Sequence, residues 1–147
     1  MQIIVTDQPF DPVQALSEFK ANGGGAVVTF NGVVRNDGDD LDAMVIEHYP
    51  GMTQKALTDH AQAASERFNL TNSLVIHRFG KLIPGEVIMM VATAAKHRKE
   101  AFQGADFLMD YLKSRAPFWK QEIRFGNTAW VESKAVDEAA LADWEKS

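Results

Sequence analysis

Helical and strand periodicities alternate along this chain, and that alternation restricts the fold more than any other feature. Met52, Ala56, Leu57, Ala61, Ala64 and Phe68 form one apolar stripe at helical spacing, and Ala101, Ala105, Leu108 and Leu112 form a second. Between and around them lie β-branched or alternating runs: 26–34 (AVVTFNGVV), 43–49, 73–79, 86–94 and 118–125. The 26–34 run reads as a buried strand, with Gly32 marking a bulge or a close approach. Gln2 to Val5 reads as a short opening strand, Trp130-Val131 as another, and the acidic, alanine-rich tail from Lys134 as a short helix. Two long helices interleaved with strand pairs predict an α+β domain, and no linker or repeat divides residues 1–147.

Local punctuation sets the boundaries. Asp11 can cap a helix that has Pro12 in its first turn, with Gln14 placed to complete a variant capping box. That helix is expected to end at Asn22 and the glycines at 23–25. Pro50-Gly51 precedes the first long helix. Pro117 forces the second, expected over 97–113, to stop near Arg115.

Composition excludes several function classes. Twenty acidic against fifteen basic side chains leave a net charge of -5, the wrong sign for a nucleic-acid binder. No apolar run approaches the roughly 20 residues of a membrane span, and MQIIVTDQPF lacks a secretory signal, so the cytoplasm is the expected location. Cysteine is absent, which removes disulfides, thiolate ligands and a cysteine nucleophile together. The four histidines show no metal-ligand spacing, NDGDDLD does not match an EF-hand loop, and no Walker, G-x-G-x-x-G or G-x-S-x-G motif occurs. No cofactor or metal is expected.

Charge is nevertheless uneven. Lys96, His97, Arg98 and Lys99 stand at the start of the second long helix, where the macrodipole already disfavours cations. A bound anion would turn that cost into a site; the alternative is that these side chains splay into water. Lys113 and Lys120 flank Pro117, so a helix-to-strand reversal can aim both amines into one pocket. Lys120 shares a strand face with Phe118 and Glu122. Alternatively, Lys113 complements the helix C-terminus and Lys120 is a solvated strand residue. Arg35 either pairs with Asp37 or Asp39 or holds a ligand phosphate at the end of its strand, and Phe30 and Phe118 read as core. These residues alone suggest an anion site, leave the solvated alternatives open and do not name a reaction.

Four segments resemble the large subunit of molybdopterin synthase: GAVVTFNGVVRN (25–36), IEHYPGMTQKAL (46–57), HRFGKLIPGEVIMMVATAAKHRKEAF (77–102) and MDYLKSRAPFWKQE (109–122). They occur in one order between about residues 24 and 132. The resemblance implies an α/β hammerhead-type fold and a homodimer within a heterotetramer. The partner it implies is a small ubiquitin-like subunit whose C-terminal Gly-Gly carries a thiocarboxylate. Sulfur from that tail passes twice to cyclic pyranopterin monophosphate, forming the molybdopterin dithiolene. By the same likeness Lys113 matches the catalytic lysine and Lys120 the second pocket lysine. His97, Arg98 and Arg35, with Val33 and Val34, match substrate contacts, and Gln121 and Glu122 adjoin that segment. The rival is a non-catalytic module that binds a ubiquitin-like partner or a phosphate ligand; both lysines beside a basic helix start favour the enzyme.

Overall fold

A computed structural model describes residues 1–36, 38–132 and 134–146. The elements run β1 (Gln2–Thr6), α1 (Pro12–Glu18), β2 (Ala26–Val33), β3 (Leu41–His48), α2 (Met52–Phe68), β4 (Leu70–Arg78), β5 (Gly80–Leu82), β6 (Val87–Ala95), α3 (Arg98–Ser114), β7 (Phe118–Arg124), β8 (Asn127–Val131) and α4 (Ala135–Glu145). They make two four-stranded sheets, ordered β1-β4-β6-β2 and β5-β3-β7-β8. All pairings are antiparallel except β1 with β4. The class is α+β, with two long helices.

The apolar stripes of α2 and α3 bury Leu57, Ala61, Ala64 and Phe68 against Ala105, Leu108, Leu112 and the first sheet's Val75 and Val91. On the sheet's other face, Leu74, Ile76, Met90 and Ala92 meet Ala15 of α1 and the flanking Phe10 and Phe19. A smaller cluster of Val34, Leu41, Ile46 and Leu82 lies beside the second sheet. Ile88 and Phe118 pack against both it and the main core, joining the sheets into one body. Gly104, a helix-weakening residue by propensity, has a packing reason. A β-carbon there would sit 2.8 Å from Leu70 Cδ2, so α3 approaches the β4 side closely only without a side chain.

Several expectations shift. Asp11 caps α1 as read, accepting a hydrogen bond from the Val13 amide at 2.9 Å. The helix ends at Glu18, however, because Phe19 turns extended and carries its ring under the sheet. The Gln14 amide reaches Glu18 instead of returning to the cap. The run 26–34 is an edge strand, not a buried one: Val27, Phe30 and Val33 are each more than 40% exposed. A strand with a neighbour on one side only can keep a β-branched sequence without burying it. Phe30 is therefore not core, whereas the bulge at Gly32/Val33 is present. Met52 stays outside the α2 stripe and Thr53 is buried in its place. The short strand β5 lies in the connection between the predicted runs 73–79 and 86–94.

The tail does form a helix. Trp144 of α4 stands edge-on to Phe68 and Phe107 and donates its indole N–H to Asp110 at 2.6 Å. His60 stacks on Phe107 and Tyr111 between α2 and α3, and burial lowers its pKa. His77 on β4 is fully buried and its pKa falls to about 3, chiefly through desolvation and then through the nearby Lys120 charge.

These two rings give stability a pH dependence. Both have folded pKa values below the ordinary 6.5, so above that value they contribute nothing. Below it the unfolded chain takes up protons that the native state refuses, and stability falls. For His77 the loss approaches about 1.4 kcal/mol per pH unit from 6.5 down toward its folded pKa. Urea unfolding between pH 7.5 and 5 should show the fall, with the His77 ring signals still those of a neutral imidazole at pH 5.

Candidate active site

The site is built by one reversal of the chain. At the end of α3 the Arg115 and Ala116 amides both donate to the Tyr111 carbonyl, at 2.8 and 3.0 Å, closing the last turn. Pro117 blocks continuation, and the Phe118 amide donates to the Ala116 carbonyl at 2.7 Å as β7 begins. Lys113, on the last turn of α3, and Lys120, on β7, therefore line the same cleft of about 190 Å³, with Phe118, Val131, Lys134 and Asp137. The helix α4 closes one side and is tied to the end of α3 by an Arg115–Glu138 ion pair at 2.7 Å.

The two amines differ. Lys113 is exposed, whereas Lys120 is half-buried. Burial lowers the Lys120 pKa from 10.5 to about 8; the Lys113 charge pushes the same way and Asp137 opposes it. At neutral pH about a tenth of the Lys120 side chains are then neutral, enough to exchange protons on demand. Glu132 also lines the cleft, so three lysines face two carboxylates there. The arrangement offers a modest positive balance with one tunable amine, which suits an anionic reactant whose charge grows as it reacts.

The remaining residues divide by place. Arg35 is exposed just beyond β2, and Val34 lies in the small cluster that Phe118 also touches. Val33 is 49% exposed beside it. Because β2 runs antiparallel to β6, Val33 pairs with Val87 at the end of the first sheet away from the α3 N-terminus. Asp37 lies outside the described residues; Asp40 of the same turn pairs with Arg124, which also holds Glu122 at 2.6 Å. Glu122 shares the Lys120 face, whereas Gln121 alternates to the opposite face, in register with Val45 and Trp130.

His97 and Arg98 are elsewhere. With Lys96 and Lys99 they surround an open depression at Gly25 and Ala26. His97 is the N-cap of α3 and makes no side-chain capping bond. Lys113 follows Arg98 by fifteen positions in the same helix, about 22 Å at 1.5 Å per residue. Within one chain the two cation clusters cannot touch one small ligand.

Sequence reasoning assigned no role to His77, Asp137 or Lys134. Asp137 and Lys134 arrive through α4, whose helical tail was legible but whose docking was not. His77 stands inside HRFG (77–80), and only its burial behind Phe118 distinguishes it. Among the described residues, no three His, Asp or Glu side chains are grouped to hold a metal ion.

Comparison with known proteins supplies the family. The model of the MoaE protein family matches residues 5–115. The molybdopterin synthase catalytic subunit of Cereibacter sphaeroides is 54% identical over 98% of this chain and its own full length. The protein of the same name from Pseudomonas aeruginosa is 47% identical over 99% of this chain and its own full length. A solved MoaE protein from Burkholderia ambifaria superposes with a TM-score of 0.82 at 41% identity, covering 98% of this chain and 97% of its own. With sequence and fold agreeing over nearly the whole length, the chain belongs to the MoaE protein family.

Proposed function

We propose that this chain is the catalytic subunit of a molybdopterin synthase and that the Lys113–Lys120 cleft is where sulfur is transferred. The observation that carries this is the meeting of two amines, one of them tuned by burial, in a cleft reached past α4. The relatives' shared name, catalytic subunit, presupposes a second subunit. In our reading that partner is the small ubiquitin-like carrier, and its Gly-Gly thiocarboxylate tail enters the cleft. A cleft of about 190 Å³ suits a thin, side-chain-free chain end. The tail brings the sulfur that a cysteine-free chain cannot supply.

The roles follow from the geometry. Lys113, exposed at a helix end, stabilises negative charge on the carbonyl oxygen as the thiocarboxylate reacts with cyclic pyranopterin monophosphate. Lys120 exchanges the proton as the cyclic phosphate opens. Arg35, with Val33 and Val34 at its strand end, and Glu122 border the substrate on this side. Gln121, on the far sheet face, supports β7 and does not reach the pterin.

His97 and Arg98 enter through a second copy. About 22 Å of helix separates them from Lys113, so in our reading they bind the pterin phosphate of the neighbouring protomer's site in a homodimer. Two small subunits at the ends complete a heterotetramer. In our reading the reaction takes place in the cytoplasm. Among the described residues no helix is long and apolar enough to cross a membrane.

The direct test is reconstitution with thiocarboxylated small subunit and cyclic pterin. Lys113→Ala and Lys120→Ala should each lower turnover by at least about a hundredfold while still binding the small subunit. Lys113→Arg should keep more activity than Lys120→Arg, because arginine preserves charge but cannot give up a proton near neutral pH. Near-normal turnover in either alanine variant would remove that lysine from the mechanism, and binding of both ligands without any product would favour the non-catalytic module.

The phosphate assignment has its own check. Arg98→Ala, and separately Arg35→Ala, should weaken pterin binding by about 1.5–3 kcal/mol each, measured calorimetrically, with unfolding midpoints unchanged. Unaltered affinity in both variants would contradict it.

A further inference from the structure

His77 is buried to 1% exposure at the end of β4, yet nothing in the sulfur chemistry uses it. Its ring lies flat on that of Phe118, with centroids 3.8 Å apart and planes 14° from parallel. Its Nδ1 is 2.8 Å from the Arg78 carbonyl, so Nδ1 carries the proton and donates, and the ring cannot swing. Phe118 is the first residue of β7 and lies two positions before Lys120, on the same strand face. It also lines the lysine cleft. The His77 ring thus stands behind a side chain that lines the cleft together with Lys120.

We propose that His77 is a positioning residue for Lys120: its locked imidazole backs the Phe118 ring and thereby fixes the apolar wall that keeps the amine partly out of water. The role of Lys120 in turnover rests on the functional reading above, whereas its protonation can be measured without catalysis.

The groups around the amine make the wall decisive. Lys120 faces Lys113 from α3, Asp137 from α4, and Glu132 and Lys134 from the connection between β8 and α4. Glu122 on its own strand is engaged by Arg124. Behind Phe118 stand His77 of β4 and, 6.1 Å from the Phe118 ring, His48 of β3. Desolvation is the largest influence on Lys120, ahead of Lys113 and Asp137. That desolvation depends on the wall staying closed, and the His77 ring stacked at 3.8 Å backs Phe118 face to face. His77 suits the place because it stays neutral there and adds no third positive charge.

The experiment is titration of the Lys120 amine by NMR, with labelled lysine, in the isolated full chain. The wild type should titrate near 8, and His77→Phe, which keeps a flat ring, should titrate within about 0.3 units of it. His77→Leu should raise the midpoint toward 10.5 by about one unit, a tenfold loss of neutral amine at pH 7. The acidic limb of the pH–rate profile should move by the same amount. A purely structural role would lower the unfolding midpoint and leave the titration in place. If His77→Leu does not fold, Phe118→Leu removes the other ring and decides by the same midpoint. An unmoved midpoint in a folded leucine variant, or an equal shift in His77→Phe, overturns the proposal. A shifted midpoint with undiminished turnover at neutral pH would sink the catalytic role of Lys120 and leave His77 as its positioner.

Discussion

Because α3 is a continuous 17-residue helix, the cations at its two ends keep a fixed separation unless the helix melts. Its buried stripe locks it against α2 and the first sheet, and Gly104 seats it closely over Leu70. Two of the candidate site residues, Arg98 and Lys113, stand at opposite ends of that rod, and His97 caps it. The C-terminal end delivers Lys113 to a cleft that β7 and α4 complete. The N-terminal end presents His97 and Arg98 to solvent at an open, basic depression. Under the function proposed above, these ends are two half-sites, which pairing of two copies would bring together.

The lysine cleft also shows how an acidic protein gathers positive charge without cysteine, metal ligands or a deep cavity. Lys113 and Lys120 repel each other, and Asp137 offsets part of that repulsion. The buried His77 avoids worsening it by remaining neutral, stacked on Phe118. Under the proposed function, an anionic tail and an anionic pterin would add to the counter-charge that Asp137 already provides.

Periodicity made much of the fold legible. Leu57, Ala61, Ala64 and Phe68, and Ala101, Ala105, Leu108 and Leu112, face inward at the spacing they show in the chain. Pro117 fixed the one corner that matters to chemistry. Propensity alone could not reveal that 26–33 is an edge, because β-branched residues favour a strand wherever it sits in a sheet. It also could not reveal the early end of α1, which a long-range contact of Phe19 decides. Motif resemblance gathered Lys113, Lys120, Arg35, His97 and Arg98, but it carries no distances and so concealed that α3 holds them apart. His77 was invisible for the opposite reason. A lone histidine in a strand has no signature until its neighbour across the sheets is known.

Complementation between two impaired variants tests this account most directly. Lys113→Ala and Arg98→Ala chains would be unfolded together, refolded to mixed dimers, and assayed with carrier and with pterin well below saturation. Lost catalysis in one homodimer and weakened pterin binding in the other then leave each with at most about a tenth of wild-type activity. A site shared across the interface leaves one intact centre in each mixed dimer, so random assortment should restore about a quarter of wild-type activity. A mixture as inactive as its parents would contradict the shared site and place both cation clusters in independent roles within one chain.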